Sequence, residues 1–363
     1  MKIEIGLKQL SEAVAMVSRV VANRPQLPVL SNILLSAEPT GLRLSATDLE
    51  IGMSIFLPAK VEEVGKTTVP ARIFLDYVMS LSGDKVELLE SEGKLQVTAG
   101  VYKGQIQTTP AEEFPTLPTG DGEGIEVEAN KLVEILGKVI YAAAKDSLRP
   151  VLTGVLFEIN ENKLRVVGTD GFRLSMAEMK IEKGEKRSLV VPARAVAEMM
   201  KMAKEGKVKL LYLEESKQVV LQTTEAVLMA QVLEGNFPDY GRILPKSSTL
   251  TFSASREELL QAVKSVQIFA RDNSNVMRWS VLEGELSATS SAGEKGQGKA
   301  SCSVSISDGE SANVVFNAKY VLDFLTNLSC ENVVVALGEA LAPGSFRQEG
   351  NEDSLYVVMP INA

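Results

Sequence analysis

The chain has 363 residues, of which 45% are apolar and 23% charged, a composition typical of a globular protein with about two to four domains. It contains no histidine and only two cysteines, which excludes histidine catalysis, histidine-containing metal sites and a disulfide scaffold. The formal net charge of −9 argues against a simple basic nucleic-acid-binding protein, unless the charge is unevenly distributed.

The amino-terminal sequence Met-Lys-Ile-Glu-Ile-Gly carries charges where a signal peptide needs an apolar stretch. No apolar run reaches the length of about 18 residues that a membrane-spanning helix requires. We therefore expect a cytoplasmic protein that does not contact a membrane, with Cys302 and Cys330 as reduced thiols.

Predicted elements follow one another in the same order three times along the chain. The first copy begins with an amphipathic helix over 7–24, in which apolar residues recur at helical intervals from Leu10 onward. Alternating strands such as 42–46 come next, and a second helix is predicted over 72–82. A strand hairpin over 85–98 ends the copy.

The second and third copies repeat this order. Helices are predicted over 130–149 and 194–207 in the second copy, and over 255–271 and 318–328 in the third. Ser255 is placed to cap its helix through a capping box. Each copy is therefore an α+β unit of two helices and antiparallel strands.

Identical short sequences establish the repeat. Val69–Arg72 recurs letter for letter at Val191–Arg194, and the same offset of 122 residues separates Thr47 from Thr169, each followed by aspartate. A weaker third copy is visible around Phe316. We predict an α+β fold of three repeated domains, with boundaries at 1–122, 123–247 and 248–363.

The predicted helices are basic although the chain is acidic. Together they carry a net charge of +7, which leaves −16 for the remaining residues. Lysine and arginine are good helix formers, so a solvated helix face would explain this distribution. The alternative interpretation is that the helices face a polyanion, whose phosphates can position a protein without sequence readout.

One glycine-rich segment comes close to a catalytic motif. Gly293–Lys299 is similar to a phosphate-binding loop, but Ala300 stands where the motif needs serine or threonine, and a strand is predicted to follow. Asp48 and Asp170 follow threonines at strand ends, and we interpret them as turn residues. The sequence therefore predicts no catalytic residue, no metal site and no cofactor.

Four motifs are shared with one known family: Arg24–Leu30 with its two prolines, Gly168–Leu174, Phe237–Tyr240 and Tyr356–Pro360. Together with the three copies and the basic helices, they make the whole chain resemble the bacterial DNA polymerase sliding clamp, the beta subunit of the replicative DNA polymerase III holoenzyme. The resemblance implies a DNA-clamp architecture, in which a head-to-tail homodimer forms a ring around double-stranded DNA. It also implies a non-enzymatic processivity factor that tethers the replicative polymerase.

The resemblance implies that cations of the helices contact DNA without sequence specificity, with Arg149 placed either there or at the rim of a cleft. The candidate DNA-binding residues are Arg24, Lys138, Lys145, Arg149, Lys201, Lys204, Lys264 and Arg271.

The resemblance further implies an apolar cleft that binds short peptides of the polymerase, the clamp loader and repair proteins. The residues that match this cleft are Leu152, Thr169, Gly171, Phe172, Arg173, Leu174, Pro238, Arg242, Ile243, Ser345, Val357, Val358, Met359 and Pro360. Family members often carry histidine where this chain has Phe172, and often end Met-Pro-Met-Arg-Leu where this chain ends Met-Pro-Ile-Asn-Ala. The peptide preference is therefore expected to differ.

At the dimer contact, the resemblance places Ile268 and Phe269 of one subunit near Ile106 of another. Two other hypotheses remain open from the sequence. One is an NTP-binding enzyme that uses the Gly293–Lys299 loop, and the other is a repeat scaffold that acts without DNA.

Overall fold

The computed structural model describes residues 1–22, 25, 27–118, 120, 122–146, 148–339 and 341–362. The six α-helices in these ranges are α1 (Leu7–Val17), α2 (Ala71–Ser80), α3 (Ala129–Val139), α4 (Ala193–Met202), α5 (Arg256–Ala270) and α6 (Ala318–Thr326). The strands of the first half are β1 (Lys2–Gly6), β2 (Asn32–Glu38), β3 (Gly41–Thr47), β4 (Ile51–Pro58), β5 (Lys60–Glu63), β6 (Gly65–Pro70), β7 (Lys85–Ser91), β8 (Lys94–Ala99), β9 (Tyr102–Gln107), β10 (Ile125–Glu128), β11 (Gly154–Asn160), β12 (Lys163–Thr169) and β13 (Arg173–Lys180). Those of the second half are β14 (Arg187–Pro192), β15 (Lys207–Leu213), β16 (Gln218–Gln222), β17 (Ala226–Gln231), β18 (Leu250–Ser255), β19 (Val276–Leu282), β20 (Glu285–Ser291), β21 (Gln297–Asp308), β22 (Ser311–Asn317), β23 (Asn332–Leu337), β24 (Gly344–Gln348) and β25 (Ser354–Val358).

The chain forms two compact units, Met1–Ala129 with Lys201–Val232, and Asn130–Met200 with Leu233–Ala363. The first unit contains a five-stranded sheet in the order β5-β1-β7-β8-β9 and an eight-stranded sheet in the order β10-β15-β16-β17-β4-β3-β2-β6. The second contains one sheet in the order β14-β11-β12-β13-β25-β24-β23-β18-β21-β20-β19-β22. The predicted α+β class is confirmed, and so is the hairpin of β7 and β8.

Two sheets join strands that lie far apart in the sequence. In the first unit β4 pairs antiparallel with β17, and in the second β13 pairs antiparallel with β25. The second pairing sets Arg173 opposite Val358 and Leu174 opposite Val357. It therefore places the predicted Gly168–Leu174 motif beside the predicted carboxyl-terminal motif.

The helices are shorter than the sequence predicts. Helix α1 ends at Val17 and passes into a 3-10 turn over Ser18–Val20, and α4 ends at Met202 before Gly206, whose φ is +74°. Helix α3 ends at Val139, where φ is −120°. The Ala144 N–H bonds to the carbonyl of Leu152 at 2.9 Å instead of continuing a helix, so a tertiary contact overrides the helix propensity of the alanines.

The serine half of the predicted capping box in the third copy is confirmed, because Ser255 Oγ accepts a hydrogen bond from the Glu258 N–H at 3.4 Å. The interpretation of Gly293–Lys299 as an NTP-binding loop is wrong. A 3-10 turn over Gly293–Lys295 leads into β21, so Lys299 lies in a strand and no helix follows it. Among the described residues, no helix is long and apolar enough to cross a membrane.

An aromatic cluster forms the centre of the second unit's core. Trp279, Phe316 and Phe346 meet edge to face, and Phe324 of α6 stacks on Tyr356 of β25 with ring centroids 5.0 Å apart. Because side chains alternate along a strand, Tyr356 faces this core while Val357 joins a smaller apolar cluster. Strand β25 thus anchors α6 from one face and supports the candidate site from the other.

Candidate functional site

The site begins with the turn between β12 and β13. Asp170 Oδ1 accepts hydrogen bonds from the N–H groups of Phe172 and Arg173, at 3.0 and 3.1 Å. Thr169 Oγ1 donates to the Arg173 carbonyl and accepts from the Gly171 N–H. Gly171 has a φ of +93°, which favours glycine. The turn interpretation of Asp170 is confirmed, and the turn leaves Phe172 64% exposed at its tip.

Arg173 is buried directly behind this tip. Its Nε donates to Asp170 Oδ2 at 2.9 Å, and its Nη1 donates to Asp323 Oδ2 at 2.6 Å. The guanidinium carbon lies 4.5 Å from the ring centroid of Tyr320. Burial disfavours its charge, but interactions with Tyr356 and the two carboxylates outweigh this and raise the pKa of the guanidinium. Arg173 is therefore a permanent cation in the interior.

An apolar cluster supports the turn from below. Leu174 and Val357, on adjacent strands, are both almost fully buried in it. Ser345 of β24 lies opposite Val357 in the sheet, so it is adjacent to the strand that carries this cluster residue. The Met359 N–H donates to the Phe172 carbonyl at 2.9 Å, so the turn and the carboxyl-terminal segment are directly connected.

A groove of about 540 Å3 opens beside Phe172, and we call it the Phe172 groove. Its walls are residues 143–146 and 148–149, the turn 170–173 and the start of α6, with Leu152 also in its lining. The groove is lined by Ala143, Ala144, Lys145, Asp146, Leu148, Arg149, Leu152, Asp170, Gly171, Phe172, Arg173, Lys319 and Tyr320. Exposed apolar surface on Phe172 and Leu148 thus lies beside exposed cations of Lys145, Arg149 and Lys319.

The structure brings together most of the predicted cleft residues, but in different roles. Leu152, Gly171 and Phe172 line the groove, whereas Leu174, Val357 and Val358 are buried beneath the surface. Thr169 is also buried and acts within the turn. Met359 and Pro360 are half-buried.

The predicted cleft residues Pro238, Arg242 and Ile243 lie in the sequence beside Phe237 and Tyr240, two aromatic residues that pack on the small apolar cluster. Pro238 is exposed and Ile243 half-buried. Arg242 is exposed and its Nε donates to Asp239 Oδ2 at 2.8 Å. None of these three side chains lines the Phe172 groove.

Sequence reasoning missed Leu148, Lys319 and Tyr320, which line the groove. Tyr320 follows the third-copy match at Phe316, so a comparison of the three copies could have drawn attention to it. Leu148 is a single apolar residue in a polar loop, and nothing in its local pattern distinguishes it.

The first copy shows what distinguishes this site. Its corresponding turn has the same hydrogen bonds, with Asp48 Oδ1 accepting from the N–H groups of Glu50 and Ile51. Ile51 stands at the position of Arg173, and Gly52 at that of Leu174. A Cβ on Gly52 would lie 3.1 Å from Met229 Cγ and 3.2 Å from Leu117 Cδ2, so those two side chains occupy this space.

The candidate DNA-binding cations occupy varied positions. Lys201 on α4 and Lys264 on α5 are exposed, while Lys138 on α3 is 13% exposed and pairs with Glu134 at 2.6 Å. The helix predictions that included Lys145, Arg149 and Lys204 were wrong at those residues, because α3 and α4 end before them. Lys204 and Arg271 are exposed just beyond their helices. Arg24 lies outside the described residues.

The candidate dimer residues also differ in exposure. Ile268 on α5 is 64% exposed, whereas Ile106 on β9 is only 6% exposed. Phe269 is half-buried, and its ring lies so close to Gly298 that a Cβ there would come within 2.4 Å. Of the three, Ile268 therefore offers the most surface to a second copy. Within the described ranges, no group of three or more His, Cys, Asp or Glu residues could hold a metal ion.

Comparison with known proteins identifies the family. Family models of the DNA polymerase III beta subunit match in succession: the N-terminal domain at residues 1–118, the central domain at 126–239 and the C-terminal domain at 241–362. A beta sliding clamp from Pseudomonas putida is 31% identical, and the match covers 99% of this chain and 100% of that protein.

Two crystal structures agree with this match. The DNA polymerase III subunit beta of Pseudomonas aeruginosa is 30% identical with a TM-score of 0.94, and the match covers 100% of both chains. The P. aeruginosa sliding clamp bound to griselimycin gives the same identity, coverage and TM-score. The chain therefore belongs to the DNA polymerase III beta subunit family, the beta sliding clamps, and its function is that of a processivity factor in DNA replication.

Proposed function

We propose that two copies of this chain form a head-to-tail ring around duplex DNA, and that the Phe172 groove of each copy binds short peptides of replication proteins. One observation carries the peptide site. Leu152, the turn 169–174 and the segment 357–360 are far apart in sequence, yet they converge beneath and beside one exposed aromatic residue. Such a concave apolar site with a few polar groups suits an extended peptide.

The chemistry of the groove suggests the character of that peptide. Phe172 and Leu148 offer exposed apolar surface, while Lys145, Arg149 and Lys319 add positive charge around the same groove. A segment with a large apolar residue and a nearby carboxylate would match both features. We propose that the replicative polymerase, the clamp loader and repair proteins present such segments.

For the ring, we propose three domains, over 1–122, 123–247 and 248–363. The three successive family matches support these boundaries, each falling within one proposed domain apart from a short stretch of the last. Exposed cations at Lys204, Lys264 and Arg271 support weak, sequence-independent contacts with phosphates. A heterologous contact that closes on itself would account for a ring. Its role is topological and non-catalytic, in the cytoplasm.

The peptide proposal is tested by fluorescence anisotropy with a labelled peptide copied from the clamp-binding segment of the cognate polymerase. We expect saturable binding, competition by griselimycin, and an affinity loss of about tenfold or more for Phe172→Ala, since a buried aromatic anchor is typically worth about 2 kcal/mol. Leu282→Ala is the matched control, because Leu282 is also exposed but lies on β19 outside the groove. Equal losses for both variants would contradict the assignment.

The ring is tested by sedimentation at several concentrations and by retention on circular and linearised DNA. We expect a species of twice the 39.2 kDa chain mass and retention on the circle alone. A monomer, or equal behaviour on both DNAs, would contradict the ring and favour a scaffold that acts without DNA.

A further inference from the structure

One buried side chain ties the turn that carries Phe172 to helix α6. Arg173 donates to Asp170 in the turn, to Asp323 on α6, and through Nη2 to the Tyr141 carbonyl at 2.7 Å. Only 4% of the Arg173 side chain is exposed, so it offers almost no surface to a bound peptide. The position of Arg173 suits a connecting role rather than direct peptide contact.

The core of the second unit holds Asp323 in place. Phe324, the next residue of α6, stacks on Tyr356 with the ring planes 10° apart. The Tyr356 hydroxyl donates to the Tyr320 carbonyl at 3.0 Å, which ties the first turns of the same helix to β25. The backbone on both sides of Asp323 is therefore held by the core, and its carboxylate does not depend on the turn for its placement.

The Asp170–Phe172 turn also positions the carboxyl-terminal segment. The Met359 N–H donates to the Phe172 carbonyl at 2.9 Å. A shift of the turn would therefore move both Phe172 and Met359, which belong to two different parts of the predicted cleft.

The first copy shows that such a turn does not need the arginine. Asp48 and Thr47 make the corresponding hydrogen bonds, although Ile51 occupies the position of Arg173. The Arg173 link to α6 is thus not needed for the turn's own hydrogen bonds, since Ile51 stands at that position in the first copy. An element that is unnecessary for the turn itself but fixes its orientation is expected where the turn has a binding role.

We propose that Asp323, which is not among the cleft residues suggested by the sequence, is a positioning residue of the peptide site. Through Arg173 it holds the Asp170–Phe172 turn, and with it Met359, in the geometry that binds peptide. This inference rests on the proposed function of the Phe172 groove.

The test compares Asp323→Asn with Asp308→Asn in the full-length protein. Both changes remove one negative charge, but Asp308 is an exposed residue of β21. Peptide affinity is measured by anisotropy with the labelled polymerase peptide. In parallel, protein labelled with 4-fluorophenylalanine is examined by 19F NMR, in which Phe172→Leu identifies the signal of the turn.

We expect Asp323→Asn to weaken peptide binding about tenfold or more, the scale typical of residues that orient a binding group, and to broaden or split the Phe172 signal. Asp308→Asn should change neither. Unchanged affinity, or a loss of affinity with an unaltered Phe172 signal, would overturn the positioning role. If the unaltered chain does not bind the peptide, both this inference and the proposed function are overturned, whereas binding with no effect of Asp323→Asn overturns only this inference.

A second variant covers failure of Asp323→Asn to fold. Changing Arg173 and Asp323 together to leucine removes both charges, while two backbone N–H groups of the turn still donate to the Asp170 carboxylate. Replacing a buried ion pair by apolar residues is often neutral for stability. This folded double variant should also lose about tenfold or more in affinity, since the turn is no longer tied to α6. Wild-type affinity in the double variant would overturn the proposal.

Discussion

Because the first two copies contain matching turns, the contribution of the buried ion pair to the free energy of unfolding can be measured by comparing variants of the two turns. Asp170→Ala removes two hydrogen bonds from backbone N–H groups and one from Arg173, whose side chain is 4% exposed. Asp48→Ala removes the corresponding two backbone hydrogen bonds, and Ile51 rather than an arginine stands at the position of Arg173. Breaking a buried ion pair costs about 3–5 kcal/mol, and Asp323 still pairs with Arg173, so we expect a loss of about 3 kcal/mol for Asp170→Ala. The two turn hydrogen bonds contribute about 1–2 kcal/mol to the loss expected for Asp48→Ala.

The assay is urea unfolding, followed by far-ultraviolet circular dichroism and by tryptophan fluorescence. Trp279 is the single tryptophan, is 1% exposed and belongs to the same unit as Asp170. Asp170→Ala should move the fluorescence transition to lower urea, and Asp170→Asn should recover part of the loss, because an amide oxygen can still accept both backbone N–H groups. A loss of only about 1–2 kcal/mol for Asp170→Ala, which the two backbone hydrogen bonds alone explain, would refute the reasoning, since it would mean that the Arg173 contact contributes nothing.

Three further predictions concern the cations, the core and the thiols. Lys204→Glu combined with Lys264→Glu should lower the magnitude of the slope of log binding constant against log salt concentration, measured on a short linear duplex, by about 2. The control Lys66→Glu with Lys180→Glu, which also changes two exposed lysines, should leave this slope unchanged. Equal slopes for the two double variants would place the DNA elsewhere. Leu174→Ala should lower the free energy of unfolding by about 2–4 kcal/mol in the Trp279 transition, because Leu174 is 1% exposed; a change below about 1 kcal/mol would contradict its place in the cluster. Burial raises the pKa of the Cys302 thiol to about 11, so roughly 0.1% of this side chain is thiolate at pH 8. Ellman's reagent should therefore modify the less buried Cys330 first. Cys330→Ser should abolish the fast phase of the reaction with Ellman's reagent. A fast phase that persists in this variant would show that Cys302 is accessible.

Much of the fold could be predicted from sequence because the repeat supplied the same pattern three times. Helical spacing of apolar residues located all six helices, and Ser255 was correctly identified as a cap. Helix ends were less predictable. The alanines after Tyr141 favour a helix, yet the chain leaves it to pair Ala144 with Leu152, a contact between residues that no local pattern connects.

The site was predictable in part, for a similar reason. The Thr-Asp-Gly sequence predicts a turn, and the structure contains that turn with Phe172 at its tip. The partner of Arg173 could not be read from the sequence, because Asp323 lies 150 residues away and reaches it only through the packing of α6 on β25. The same limit applies to Leu148, whose loop becomes a wall of the groove only in the folded chain.

The difference between the first two copies arises from single positions within a shared backbone. Leu117 makes apolar contacts in two clusters and closes over Gly52. The nearby Phe114-Pro115 recurs 123 residues later as Phe237-Pro238, and at that offset the counterpart of Leu117 is Tyr240. The Tyr240 hydroxyl donates to Glu158 and accepts from Arg165 at 3.4 Å. Those polar contacts fix the Tyr240 ring through its hydroxyl, and Leu174 is buried in the apolar cluster on which Tyr240 packs. The first two copies thus share one turn, and the changes from Ile51 to Arg173 and from Gly52 to Leu174 accompany the groove beside that turn in the second copy.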